Sequence, residues 1–198
     1  GARVAGVHNS PISIAVPGDQ CSPLVLDMAT SVAAGGKIAL AKDRGVDIPT
    51  GWALDVDGNP TTDPDKYAVV LPAAGPKGSG LALMFECLSS VMLGSPLLAS
   101  VLGGAQVDND HRQNSILVAI DIATFTDPGD YRKDVDTLVQ GLKALPKEEG
   151  VKEIFMPGEP EDRIRKERLE KGIPLPHGTI ASMRIVAEKV GASLPPGV

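Results

Sequence analysis

The chain has 198 residues, of which 42% are hydrophobic, and its formal net charge is −6. This length and composition predict a soluble globular protein of one domain with a sizeable core. The acidic balance, without a basic stripe of interleaved aromatic residues, excludes nucleic acid as the main partner.

The spacing of the cysteines and the character of the N-terminal residues bear on the cellular compartment in which the protein is expected. Cys21 and Cys87 fit neither a metal-ligand spacing nor a disulfide framework, so a reducing cytoplasm is expected. No apolar run is long and uninterrupted enough for a membrane span, and the first residues lack a signal-peptide pattern. Neither membrane insertion nor export is therefore expected.

Short apolar segments bounded by proline and glycine predict three strands near the start of the chain. They lie at residues 3–7, 12–16 and 24–26, where β-branched residues are frequent. Helix-forming and small residues then predict a helix from Ala29 to about Arg44, which ends at a glycine.

Residues 48–64 are rich in turn-forming residues and predict a loop. Three oxygen-bearing side chains at alternate positions suggest a calcium loop: Asp55, Asp57 and Asn59. An EF-hand frame, however, requires glycine at its sixth position and glutamate at its twelfth, where this sequence has Pro60 and Lys66. Turn chemistry is the better interpretation.

Lys77 stands among glycines immediately before the apolar run 82–93. This arrangement predicts a buried helix whose first N–H groups open toward the lysine, which suits a phosphate or a carboxylate. The order of residues matches neither a P-loop nor the Rossmann dinucleotide fingerprint. An anion site and a plain glycine-rich helix cap are both open on these residues alone.

The rest of the chain alternates between strand and helix patterns. Strands are predicted at 116–121 and 151–156, and helices at about 130–145, 163–171 and about 179–190. The helix at 163–171 is strongly charged, whereas those before and after it are amphipathic.

Few side chains are candidates for chemistry. His8, His111 and His177 are the natural general acids near neutral pH, but none stands in a catalytic spacing. Asp27 closes an apolar strand, where a carboxylate can face a cleft, although the residues alone favour a helix N-cap. Glu159 lies in the turn between a predicted strand and a predicted helix. Its carboxylate could accept hydrogen bonds from ribose hydroxyls or interact favourably with the helix dipole, and both interpretations are open.

Several segments together resemble the type-2 malate/L-lactate dehydrogenase family, which includes sulfolactate and ureidoglycolate dehydrogenases and cyclic imino-acid reductases. The resemblance rests on segments 10–12, 26–31, 51–64, 71–81 and 156–159. These segments run through almost the whole chain, and the one around Lys77 is the most specific. The resemblance departs at His8-Asn9-Ser10-Pro11, where the family more often has Gly-Thr-Asn-Pro.

The resemblance implies a mixed α/β (α+β) fold, with a largely antiparallel sheet, flanking helices and a non-Rossmann NAD(P)-binding site. It implies hydride transfer from NAD or NADP cofactors between 2-hydroxy and 2-oxo acids, in a homodimer. A reductase of cyclic imino acids and a non-catalytic nucleotide-binding module are the alternatives. The expected domains are an incomplete cofactor-binding domain at 1–150 and a segment at 151–198 that completes the site.

The resemblance also implies roles for individual residues. Lys77 is expected to contact the cofactor, Asp27, Met28 and Ala29 to form the strand end beside the nicotinamide, and Gly158, Glu159 and Pro160 to form the adenosine-side turn. Asp27 is also expected to orient a catalytic histidine, which the family places upstream of Gly1.

The choice between NADH and NADPH is open on the sequence. Glu159 favours a free ribose hydroxyl, whereas the nearby Arg163 and Arg165 suit a phosphate.

Overall fold

The computed structural model describes residues 2–7, 9–94, 114–195 and 197. The predictions for His8 and His111 lie outside these residues. The strands are β1 (Ile12–Val16), β2 (Leu24–Met28), β3 (Ala53–Leu54), β4 (Pro60–Thr61) and β5 (Val69–Val70). The helices are α1 (Gly35–Arg44), α2 (Pro76–Glu86), α3 (Pro128–Lys143), α4 (Glu159–Lys171) and α5 (His177–Val190). A π-helical turn, Cys87–Val91, continues α2, and a 3-10 turn, Ile122–Thr124, precedes α3.

The strands form two small sheets, and every pairing in the described part of the chain is antiparallel. Strands β1 and β2 make a hairpin in which Ser13 lies opposite Asp27. The second sheet has the order β4-β3-β5. The prediction of mixed helices and strands with antiparallel pairing is therefore confirmed.

A small apolar core lies between α1 and the three-stranded sheet. The buried residues of this core are Ile38 of α1, Ile48 in the loop before β3, and Ala53 of β3. Trp52 and Val70 pack against them. This core fixes the sheet whose last strand leads into the segment before α2. Further away, the amide of Gly178 in the first turn of α5 donates a hydrogen bond to Asp43 of α1 (3.3 Å).

Much of the apolar surface is not covered by the chain itself. The accessible area is 14511 Å², whereas a compact monomer of 20.5 kDa is expected to expose about 8,900 Å². The segment predicted as a strand at 116–121 is an example, because Leu117 is 97% exposed and the segment pairs with no other strand in the structure described. A strand needs a ladder partner, and the described residues supply none there.

Three other sequence predictions are corrected. Residues 3–7 and 151–156 form no strand, although Met156 is buried. The first helix begins at Gly35 and not at Ala29, because the preceding residues pair with another segment: Ser31 forms a β-bridge with Pro72. Apolar composition alone does not reveal such long-range pairing.

The apolar helix after Lys77 is also not buried as predicted. Its buried positions are Gly78, Ala82 and Glu86, with Ser90 continuing the same face, while Leu83 and Met84 are about half exposed. None of the described helices has both the length and the hydropathy needed to cross a bilayer.

Other local predictions are confirmed. Helices α3 and α5 match the two predicted helices within a few residues. Val135 and Val139 of α3 are buried as the pattern predicts, whereas the apolar face of α5 is not covered, with Val186 and Val190 more than half exposed. The loop at 55–59 is a hairpin turn in which Asp55 Oδ1 accepts hydrogen bonds from the amides of Asp57 (3.0 Å) and Asn59 (2.9 Å). The turn chemistry predicted for the three oxygen-bearing side chains is thus confirmed.

Candidate functional site

The end of β2 meets the segment that leads into α2. The Ala73 amide donates to the Thr30 carbonyl (2.9 Å) and the Val32 amide donates to the Leu71 carbonyl (2.8 Å). Thr30 is 2% exposed, so this junction is well packed. It brings the residues that follow β2 next to the start of the Lys77 helix.

The turn before α2 has an unusual backbone. Ala74 has a φ of +49°, a left-handed conformation that is uncommon for a residue with a Cβ. Gly75 follows at +61°, and Pro76 at the first turn of α2 has the φ that a helix start requires. The turn directs the helix start back toward the end of β2.

Gly78 explains how closely α2 approaches β2. A Cβ at this position would lie 2.6 Å from the Ala73 oxygen and 2.7 Å from the Ala73 nitrogen, and it would also collide with the Thr30 carbonyl oxygen. All three are backbone atoms, which cannot swing aside as a side chain does. Only glycine permits the first turn of α2 to pack here.

The expectation of free N–H groups at the start of α2 is wrong. The amides of Lys77, Gly78 and Ser79 donate to the carbonyls of Ala74 (3.5 Å), Ala73 (2.9 Å) and Gly75 (3.3 Å), and Pro76 has no N–H. An anion at this end of α2 would therefore have to be held by the Lys77 ammonium itself. That side chain is exposed and has no hydrogen bond or ion pair among the described residues.

Asp27 lies in β2 and is not a helix N-cap, because α1 begins eight residues later. Its carboxylate is exposed and has no partner within the described part of the chain. Met28 and Ala29, which follow it, are half-buried. Of the two interpretations of Asp27, the structure therefore agrees with an exposed carboxylate on a strand.

Asn9 anchors the segment after β2, a contact that the sequence analysis missed. Its Oδ1 atom accepts hydrogen bonds from the Thr30 amide (3.1 Å), the Thr30 hydroxyl (3.1 Å) and the Ser31 amide (3.3 Å). The residue stands in the segment that departs from the family pattern, and no local signal pointed to its partners.

At its other end, β2 carries a second turn. The Val25 amide donates to the Pro157 carbonyl (3.0 Å), and Gly158 has a φ of +95°. A Cβ on Gly158 would lie 3.3 Å from the backbone nitrogen and oxygen of Val25. The turn is therefore seated directly on β2.

Glu159 begins α4, and its carboxylate is already engaged. It accepts hydrogen bonds from Lys143 Nζ at Oε1 (2.8 Å) and Oε2 (2.7 Å) and from the Met156 amide at Oε2 (2.9 Å). The Lys143 ammonium lowers the pKa of Glu159, and the Met156 amide lowers it further. Half-buried Pro160 follows in the first turn of α4.

A second ion pair continues this cluster. Arg163 Nη2 donates to both oxygens of Glu153 (2.7 Å each), and its guanidinium lies 4.7 Å from the centre of the Phe155 ring. Glu153 is also 3.5 Å from Lys143. Arg163 is therefore committed to a carboxylate, whereas Arg165 is exposed and unpaired within the residues that the structure describes.

Strand β2 connects the two groups of predicted site residues. Val25 contacts the Gly158 turn and Thr30 contacts the start of α2, and five residues of extended chain span about 17 Å. The structure thus places the predicted residues at two ends of one strand, with Asp27 between them.

Asp136 of α3 holds the β1–β2 loop, and sequence reasoning also missed it. Its carboxylate accepts from the amides of Asp19 (3.1 Å), Gln20 (2.7 Å) and Cys21 (3.3 Å). These hydrogen bonds, that of Gln20 foremost, lower the pKa of Asp136. The one weak signal was an acidic residue beside Val135 on the buried face of an amphipathic helix.

An open groove of about 470 Å³ lies elsewhere, along α4. Its lining comes from that helix, Arg165 included, and from Ile173. It is a concavity of one exposed helix and is not part of the arrangement along β2.

The order of these segments matches a known family over nearly the whole chain. The sequence pattern of the malate/L-lactate dehydrogenase family matches residues 1–184. The chain belongs to this family. The predicted resemblance is therefore confirmed.

Three similar proteins illustrate the breadth of the malate/L-lactate dehydrogenase family. The (2R)-3-sulfolactate dehydrogenase (NADP(+)) of Chromohalobacter salexigens is 35% identical over 181 residues, covering 90% of this chain and 52% of that protein. The ureidoglycolate dehydrogenase (NAD(+)) of Escherichia coli K12 is 34% identical over 169 residues, covering 84% and 48%. The solved sulfolactate dehydrogenase of Methanocaldococcus jannaschii superposes with a TM-score of 0.68 at 33% identity, covering 92% and 53%.

The chain spans about half the length of the curated relatives that it matches. Its part of the malate/L-lactate dehydrogenase sequence contains the β2 strand, the Lys77 helix and the Gly158 turn.

Proposed function

We propose that this chain provides the nicotinamide-cofactor site of an NAD(P)-dependent oxidoreductase that interconverts 2-hydroxy and 2-oxo acids by hydride transfer. The observation that carries the proposal is the placement of two features at opposite ends of β2: the Lys77 ammonium, which has no partner among the described residues, and the docked turn Gly158–Glu159. An extended dinucleotide suits such a strand because its two halves need anchors far apart.

The residues present fit a dinucleotide. Lys77 offers an exposed cation for a phosphate, and the close approach at Gly78 holds that lysine beside the strand end formed by Asp27, Met28 and Ala29. When bound, the cofactor supplies or accepts the hydride, and the protein supplies binding and orientation.

Asp27 is proposed to act on a proton donor and not on the hydride. Reduction of a 2-oxo acid develops an alkoxide, which needs a proton, and histidine is the usual donor near neutral pH. An exposed carboxylate without a partner in the described part of the chain suits the orientation of such an imidazole. This role requires an imidazole beside Asp27.

The turn Gly158–Glu159–Pro160 is proposed to face the adenosine half. Glu159 is kept ionised by Lys143, which suits a ribose hydroxyl and disfavours a 2′-phosphate. Because Arg163 is paired with Glu153, Arg165 is the nearby cation left for a phosphate. We therefore propose that NADH is preferred over NADPH.

The proposed fold of the site is not a Rossmann domain, because no described strands pair in parallel and the dinucleotide fingerprint is missing from the sequence. Residues 1–150 are proposed to form most of the cofactor-binding domain. Residues 151–198 complete it through the contact of Pro157 with Val25.

We further propose that the chain acts as part of a cytoplasmic homodimer. The exposed apolar residues described above, such as Leu117, are the kind of surface that an interface between subunits covers. Free Cys21 and Cys87 are consistent with a reducing compartment. Malate, sulfolactate and ureidoglycolate are the substrates to test first, and a cyclic imino acid is the alternative.

The proposal is tested by titrating the chain with NADH and with NADPH while following cofactor fluorescence. Lys77→Ala is expected to weaken binding by about 1–3 kcal/mol, or about 5- to 150-fold, as for the loss of a charged hydrogen-bond partner. Lys37→Ala is the matched control, since Lys37 is exposed in the first turn of α1. Equal affinities for the Lys77 variant and the unmodified chain would remove Lys77 from the site. No binding of either cofactor would refute the cofactor site itself.

A further inference from the structure

The Lys143 ammonium is hydrogen-bonded to the segment that contains Ile154 and Glu159. The residue ends α3, and 31% of its side chain is exposed. Its ammonium donates to both carboxylate oxygens of Glu159 (2.8 and 2.7 Å) and to the Ile154 carbonyl (3.3 Å). With Glu153 at 3.5 Å as a further neighbour, the three N–H donors of the ammonium are directed at acceptors within the protein.

The Glu159 carboxylate keeps one acceptor position. A carboxylate has about four lone-pair sites on its two oxygens. Oε2 accepts from Lys143 and from the Met156 amide, and among the described residues Oε1 accepts from Lys143 alone. The remaining site is on Oε1, and 31% of the side chain is open to solvent.

The same turn is fastened to β2 on its other side. Pro157 accepts a hydrogen bond from the Val25 amide (3.0 Å), and Gly158 is in close contact with the Val25 backbone. The position of the turn is therefore set by two contacts, one to β2 and one to the end of α3. The contact with β2 joins backbone atoms, whereas the contact with α3 includes the charged side chain of Lys143, which a substitution can remove.

We infer that Lys143 is a positioning residue, which holds the Glu159 carboxylate so that its open Oε1 site faces the adenosine half of the dinucleotide. This inference rests on the proposed function. Lys143 itself does not contact the cofactor, because its donors are used within the protein. Because the turn keeps its hydrogen bond to Val25, the loss of Lys143 should alter the position of the Glu159 carboxylate more than it alters unfolding.

The test compares Lys143→Met, Lys143→Arg and the control Lys133→Met in the full chain. Lys133 lies on the same helix, and its ammonium pairs with Asp130 at the surface (3.2 Å). Fluorescence and calorimetric titrations with NADH, ADP-ribose and nicotinamide mononucleotide separate the two halves of the dinucleotide. Hydrogen exchange at the Val25 amide reports the docking of the turn without any ligand.

Lys143→Met is expected to weaken NADH and ADP-ribose about tenfold, as for one charged hydrogen bond, and to leave nicotinamide mononucleotide unchanged. Lys143→Arg should restore most of the affinity, since a guanidinium also binds a carboxylate. The Val25 amide should exchange faster in the Met variant only, and Lys133→Met should match the unmodified chain.

Two outcomes overturn the inference alone. In the first, Lys143→Met binds ADP-ribose as the unmodified chain does while Lys77→Ala loses NADH. In the second, Lys143→Met weakens ADP-ribose and nicotinamide mononucleotide equally, or the Val25 amide exchanges at an unchanged rate. Either result would mean that Lys143 has no local effect on the turn. If the unmodified chain binds none of the three nucleotides, the proposed function and this inference both fail.

Discussion

Replacement of Gly78 by alanine tests the packing of α2 against β2 directly. The added Cβ would lie within 2.7 Å of two backbone atoms of Ala73 and would collide with the Thr30 oxygen. Relief requires the start of α2 to move away. That movement stretches two hydrogen bonds of 2.9 Å, from Gly78 to the Ala73 carbonyl and from Ala73 to the Thr30 carbonyl.

The expected cost follows from these contacts. Overpacking in a close-packed site costs about 1–3 kcal/mol, and each lost hydrogen bond adds about 1 kcal/mol. The sum is about 3–5 kcal/mol, which lowers the melting temperature of a chain of this size by about 6–20 °C. Because Lys77 is the neighbouring residue, NADH affinity should fall with the same substitution.

Gly80→Ala is the matched control on the same helix. A Cβ at Gly80 meets no heavy atom within 4 Å, and alanine is the better helix former by about 0.5–1 kcal/mol. Urea unfolding followed by circular dichroism, together with NADH titration, compares the two variants. If Gly78→Ala proves as stable as Gly80→Ala, the close approach of α2 to β2 is wrong.

Two further predictions concern the helices that support the site. Asp136→Asn should lower the urea midpoint at neutral pH, while Asp134→Asn, exposed on the same helix, should not. The Gln20 amide foremost lowers the pKa of Asp136 from its ordinary value of 3.8. The carboxylate therefore stabilises the fold fully above that value, and the difference from Asn should vanish as the pH falls through its folded pKa. A difference that persists at the lowest pH would contradict this account. Ile38→Ala, at a fully buried core position, should cost about 2–5 kcal/mol in urea unfolding. Val46→Ala, at a site 51% exposed, should change stability by about 0.5 kcal/mol or less; equal losses would place Ile38 outside the core.

Local signals in the sequence predicted several elements well. The hairpin strands β1 and β2 and the helices α3 and α5 follow from apolar periodicity and from their bounding turn residues. The Asp55 turn follows from side-chain hydrogen bonding within a few residues. Such patterns succeed because both partners of each interaction lie close together in the chain.

The segment at 116–121 and the helix after Lys77 show where this reasoning fails. Both are apolar enough to predict burial, yet Leu117 and Met84 are exposed. An apolar composition indicates that a segment packs against another surface, but it does not indicate whether that surface belongs to the same chain. In the same way, residues 29–34 resemble a helix start until Leu71 and Pro72 pair with them.

By itself, the sequence determined the family, the hairpin, the amphipathic helices and the position of Lys77 at a glycine-rich helix start. Only the tertiary structure decided that Asp136 holds a loop 116 residues away, that Lys143 pairs with Glu159 and that the Gly158 turn rests on β2. The reason is physical. Periodicity and turn chemistry act over a few residues, whereas these contacts arise between side chains and backbone groups that only the packed chain brings together.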